Sequence, residues 1–193
     1  MQEREDILTV LTRWPGDPLP ALPSLAGFSL RRSHDDAEMA LLQGSFEGVI
    51  AARRGAGNVP CVARLRGEPI GFAWTAGRSG HIGSLGLTFA LGPRDCYVWD
   101  LTALEAGRAI AACSHILRGL VTRHADKRFW LALPCERVHE AESAGLTAVA
   151  QVYRQEGEAR IEAIGASGRV ADAAHLLALD APLTATQRST AAA

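Results

Sequence analysis

The stretch Tyr97-Val98-Trp99-Asp100-Leu101-Thr102-Ala103-Leu104 reads as a strand. Glu105-Ala106-Gly107-Arg108-Ala109-Ile110-Ala111-Ala112 follows it as a turn of small residues opening an amphipathic helix. A helix start leaves backbone N–H groups unpaired and carries the positive end of the helix dipole. Such a terminus can seat a pyrophosphate, and small side chains at 107, 109, 111 and 112 let an anion approach the backbone. The same small residues equally serve tight packing of helix on sheet. Arg108 can reach phosphates or stay solvated. Asp100 is the strand's carboxylate, able to accept a proton or to bond neighbouring loops. Further along, His139 lies in a short helix expected over 136–144. Its imidazole can exchange protons near neutral pH, or can be an ordinary half-exposed helix histidine.

Other chemistries lack their residues. There is no G-x-x-x-x-G-K-[ST] phosphate loop, no G-x-S-x-G nucleophile elbow and no H-E-x-x-H. Glycines 80, 83 and 86 have the wrong spacing for a dinucleotide fingerprint. Cys113, Ser114 and His115 are consecutive on a helix, so they point in different directions and cannot pair as nucleophile and base. Cys61, Cys96, Cys113 and Cys135 are widely spaced and read as small buried apolar residues, with no metal site expected.

The elements that must position these groups follow from periodicity. Residues 1–26 carry Pro15, Pro18, Pro20 and Pro23 and read as an extended lead-in, with one helical turn near Ile7 to Trp14. A strand is expected over 27–32. Ser33 with Asp36 then resembles a capping box, and Met39, Leu42, Phe46, Val49 and Ile50 recur at helical spacing. Strands 60–66 and 70–76 flank a turn, Leu85 to Leu91 alternates, and 96–103 is a further strand. A helix over 107–124, a strand 128–133, strands 147–154 and 158–164 and a short helix 171–179 complete the order. The strand-helix-strand piece implies a parallel pair with a right-handed crossover. The fold class is therefore α/β with a mixed, mostly antiparallel sheet, in three segments: lead-in 1–26, domain 27–165, and a short helix with a flexible tail over 166–193.

The chain has 193 residues and a formal net charge of −1, with 48% hydrophobic and 21% charged residues. That balance describes a globular protein and lacks the basic excess of a nucleic-acid binder. No apolar run approaches the roughly 18 residues of a membrane span, and the start has no signal-like apolar core. A cytoplasmic protein is expected.

The element order, together with YVWDLTALEAGRAIAACSHILRGL and RFWLALPCERVHEAESAGLTAVAQVYR, resembles the GNAT superfamily of acyl-CoA N-acyltransferases over about residues 27–164. In that family a [QR]-x-x-G-x-[GA] loop receives the CoA pyrophosphate, and Ala106-Gly107-Arg108-Ala109-Ile110-Ala111 stands in its place. Ala106 replaces the leading Gln or Arg, and Ala109 replaces a glycine. The loop between Leu104 and Gly107 is about two residues short. Ala141 stands where many members carry a tyrosine that protonates the leaving thiolate, and Pro134-Cys135 occupies the region of a frequent asparagine. The resemblance implies acetyl-CoA or another acyl-CoA as cosubstrate, a small-molecule amine as acceptor, and a homodimer as one compatible assembly. It also implies an oxyanion donor among the amides of Leu101, Thr102 and Ala103, Asp100 as base, and His139 near the missing tyrosine. A GNAT-fold protein that no longer transfers an acetyl group is the alternative reading.

Overall fold

The structure is a computed structural model and describes residues 4–105, 109–164 and 169–179. Its centre is one eight-stranded sheet. In chain order the strands are β1 (Glu5–Arg13), β2 (Phe28–Arg32), β3 (Val59–Leu65), β4 (Glu68–Ala76), β7 (Asp95–Ala103), β8 (Arg128–Pro134), β9 (Thr147–Gln155) and β10 (Glu158–Ala163). Their spatial order is β10-β9-β1-β8-β7-β4-β3-β2. Only β7 and β8 pair in parallel; the other neighbours are antiparallel. A separate hairpin joins β5 (Ser79–Ile82) to β6 (Leu87–Ala90). The expected strands at 60–66, 70–76, 96–103 and 128–133 thus share one mixed sheet.

The helices are α1 (Asp36–Gln43), α2 (Glu47–Gly55), α3 (Ala109–Arg123), α4 (Val138–Ser143) and α5 (Val170–Leu176). α3 buries Cys113, Ile116, Leu117, Leu120 and Val121 against Leu11, Val98 and Leu131 of the sheet. On the opposite face, Met39 of α1 and Ile50 of α2 pack on Val62, Phe72 and Trp74. The one or two helices expected to run to about Arg54 are two, because Gly44, with a φ of +58, closes α1 in the left-handed conformation. The cap is Asp35, which accepts from the Glu38 amide, while Ser33 bonds the Glu38 carboxylate. The expected alternation from Leu85 to Leu91 is also interrupted. Gly83–Leu85 makes a 3₁₀ turn before β6 begins at Leu87.

The lead-in departs most from expectation. In place of a helical turn, Glu5–Arg13 forms β1, inserted between β8 and β9. Ile7, Val10, Leu11 and Trp14 do match a helical template, which is why the segment misleads. Thr9, Val10, Leu11, Thr12 and Arg13 are all buried. A strand covered on both faces loses the alternation that marks a half-exposed one. The rest of the lead-in is tied down by Arg169, whose guanidinium holds Asp17 through two bonds of 2.6 and 2.8 Å. That pairing holds the Asp17 carboxyl below its usual range, against the opposing effect of burial.

Two outcomes follow. Leu11→Ala, at a leucine with no exposed surface, should cost about 2–5 kcal/mol in urea unfolding. A cost near zero would contradict β1 as an interior strand. Of the four free cysteines Cys61, Cys96 and Cys113 are buried and Cys135 is exposed, which corrects the expectation that all four are buried. Burial pushes the Cys96 and Cys113 thiols up to about 12, with Glu140 adding to the effect at Cys113. A disulfide reagent at pH 8 should therefore titrate one thiol quickly in the native protein and the rest only on unfolding.

Candidate active-site cleft

β7 and β8 pair from Asp95–Arg128 to Val98–Leu131 and no further. Beyond that point β8 continues with β1, through Ala132–Val10 and Leu133–Thr9, while β7 continues with β4. The strands diverge and leave a cleft of about 500 Å³ between them. Trp99, Asp100, Leu101 and Thr102 line one wall; Leu131, Ala132, Leu133 and Pro134 line the other. His81 and Ser84 close one side, and Tyr97 lies deeper, its hydroxyl donating weakly to the His81 carbonyl at 3.5 Å. Burial raises the pKa of that phenol, so it stays protonated.

A β-bulge shapes the cleft wall. Trp74 faces Trp99 and Phe72 faces Thr102, so Asp100 and Leu101 together oppose the single residue Ala73. Asp100 takes the left-handed conformation, with φ +51. Aspartate tolerates that region better than most side chains. The extra residue puts Leu101, rather than Asp100, on the α3 face with Cys96 and Val98. Asp100 turns instead towards α1 and α2. Its Oδ2 accepts from Gln43 Nε2 at 2.7 Å and from Arg53 Nη1 at 3.1 Å. The Arg53 guanidinium also lies 4.8 Å over the Trp99 ring, which stacks on buried Trp74. At the far end of the bulge Gly71 has no alternative. A Cβ there would stand 2.6 Å from the Thr102 carbonyl oxygen.

On the α3 side the cleft is spanned by Arg137. Its Nη2 donates to the Leu101 carbonyl at 2.9 Å and to Glu140 Oε2 at 2.8 Å, and its Nε donates to Glu140 Oε1 at 3.2 Å. Burial opposes the charge on Arg137, yet the Glu140 carboxylate outweighs it and raises the guanidinium pKa. Glu140 is itself buried. Arg137 and Glu140 stand at i,i+3 spacing, which favours their pairing, but the bond from Arg137 to Leu101 and those from Gln43 and Arg53 to Asp100 join residues far apart in the chain, which sequence patterning does not reveal.

The expected site residues separate into groups. Asp100, Leu101 and Thr102 line the cleft, while Ala103 is half-buried against the α3 core. Ile110 and Ala111 are exposed in the first turn of α3, and Ala109 begins that helix. Gly107 and Arg108, with Ala106, lie outside the described residues. His139 is exposed on α4 and does not line the cleft. Ala141, at the position of the missing tyrosine, is fully buried in the core. Among the described residues no group of His, Cys, Asp and Glu is placed to hold a metal ion, and no helix is long and apolar enough to cross a membrane.

No family model and no curated protein matches the chain in sequence. Solved structures do match in shape. A GCN5-related N-acetyltransferase from Kribbella flavida superposes with a TM-score of 0.50 at 15% identity, covering 89% of this chain and 62% of its own. A putative GNAT-family acetyltransferase from Novosphingobium aromaticivorans gives 0.49 at 13% identity, covering 78% of this chain and 64% of its own. The mixed sheet flanked by helices thus shares its fold with the GCN5-related N-acetyltransferase from Kribbella flavida. The chain spans under two thirds of the length of either protein.

The Arg137–Glu140 pair gives a stability test. Arg137→Met leaves a buried carboxylate without its partner and should cost about 1–3 kcal/mol in urea unfolding. The double variant R137M/E140M should recover most of that loss. A double variant as unstable as the summed single variants would show that the two residues act separately.

Proposed function

We propose that this chain is an acyltransferase that moves an acetyl or other acyl group from CoA, or from another pantetheine carrier, to the amine of a small molecule. The open edge of β7 across the cleft supports this most directly. Pantetheine is an extended chain with two amides, and an open strand edge can take such a chain as it takes a further strand. The donor's phosphates would then meet the first amides of α3, at its positive end.

The transfer needs three things from the protein. The amine must lose a proton, the thioester oxygen must be met by donors as it becomes an oxyanion, and the leaving sulfur must be protonated. In this proposal Asp100 accepts the amine's proton, directly or through water. Gln43 and Arg53 engage Oδ2 and fix the carboxylate's direction, while Oδ1 has no hydrogen bond among the described residues. The amides of Leu101 to Ala103, displaced by the bulge, are assigned to the oxyanion. The new C–N bond forms as the C–S bond breaks. His139 has no part in this scheme because it does not line the cleft.

A second reading, a GNAT-fold protein that binds a ligand or runs another reaction without CoA, is favoured by one contact. Arg137 already occupies the Leu101 carbonyl on the edge where the donor would lie.

Thermal shift with acetyl-CoA, CoA and buffer separates the two readings. A ligand at about 100 times its Kd stabilises by about 2.7 kcal/mol. No shift from either ligand at millimolar concentration would favour the second reading. A rise in acetyl-CoA affinity in R137M would identify the arginine as the barrier. On the true substrate Asp100→Asn, which also tolerates the left-handed conformation, should slow turnover about 10²–10⁴-fold. Unchanged turnover would remove Asp100 from the mechanism.

A further inference from the structure

A second cavity, of about 370 Å³, opens at the other end of the sheet. Its floor is built where β3 begins, β4 ends and β7 begins, from Val59, Cys61, Thr75 and Cys96, the Thr75 hydroxyl donating to the Val59 carbonyl at 3.2 Å. The thiols of Cys61 and Cys96 are buried, and burial raises both pKa values, so the floor carries no charge. Its rim is cationic. Arg32 comes from β2, Arg123 from the last turn of α3, and Lys127 from the segment before β8. Arg123 is fixed by donating Nη2 to the Leu30 carbonyl at 2.7 Å, and Lys127 by donating to the Pro93 carbonyl at 3.2 Å. Among the described residues none of the three forms an ion pair.

The nearby acids do not neutralise this rim. Asp95 borders the cavity, but its carboxylate is on the far side of the sheet from Cys96. There it accepts from Arg128 Nη2 at 3.0 Å, Trp130 Nε1 at 3.0 Å and the Gly92 amide at 2.9 Å. Asp126 is exposed and acts on His124, which also lines the cavity. Burial, Arg123 and Lys127 together depress the His124 pKa, so the rim still acts as net positive there.

We propose that this cavity binds a small organic anion, an apolar body on the thiol floor with a carboxylate held between Arg32, Arg123 and Lys127. A cavity of this size suits a metabolite, with an apolar lining and a few convergent polar groups. Three cations from three elements, none paired, leave a positive potential that a carboxylate relieves. The apolar floor selects against a fully hydrated inorganic ion, whose desolvation it cannot repay.

Lys127 is the only lysine in the chain, so labelling by an amine-directed reagent, read by peptide mass, reports on this rim at one residue. The probes are benzoate, the neutral benzyl alcohol and inorganic phosphate. Benzoate should protect Lys127 and raise the melting temperature, whereas benzyl alcohol and phosphate at the same concentration should do neither. Arg123→Gln should weaken benzoate about tenfold or more, the loss of one charge-assisted contact. Arg32→Gln, at an exposed rim residue that forms no ion pair among the described residues, should weaken benzoate to a similar degree while leaving the melting temperature of the unliganded protein near that of the parent. Protection by phosphate equal to that by benzoate would overturn the proposal. So would benzoate affinity unchanged in both Arg123→Gln and Arg32→Gln, or no protection by benzoate at all.

Discussion

The parallel pairing of β7 with β8 ends after Val98–Leu131 because each strand is held by an antiparallel partner on its other side. β4 keeps β7, and β1 keeps β8. As the sheet twists, neighbouring ladders that follow different partners separate, and a bulge on one of them increases the local bend. The cleft is the space left by that separation. Its depth, the exposed edge of β7 and the reach of Arg137 all depend on β8 staying with β1 beyond Leu131.

The bulge couples this backbone event to side-chain chemistry. One extra residue moves Asp100 off the α3 face and hands it to Arg53 and Gln43, which α2 and α1 present. Arg53 in turn rests on Trp99, and Trp99 on Trp74, whose own ring is buried under those helices. The polar wall of the cleft is thus supported by the apolar packing of α1 and α2. A change in that packing would be felt at Asp100 without touching it.

Elements with a clear period were legible in the sequence. β3, β4 and β7 are short apolar runs bounded by turn residues, and helical spacing sets in at the start of α3, so the crossover and its parallel pair could be read. β1 was not legible, because burial on both faces removes alternation and its apolar residues happen to fall at helical intervals. The bulge was not legible either, since an aspartate in a strand carries no sign of the conformation it will take. Asp100, Leu101 and Thr102 were found because they lie on the strand that the pattern identified. Arg53 and Gln43 were missed because their partner Asp100 is set by the tertiary fold, and Arg137 because its i,i+3 pairing with Glu140 says nothing of its reach to Leu101.

β1 also sets the order in which the molecule can be completed. Thr12 bonds the Phe129 carbonyl across 117 positions, and the strand's other neighbour, β9, lies further still along the chain. β1 therefore waits for β8 and β9 to be synthesised before it has a place. Until it arrives, β8 and β9 each present an unpaired edge, the kind of surface on which chains associate wrongly. Contacts of such long range carry a large loop-closure cost, and the cleft takes shape only once β1 has paired with β8.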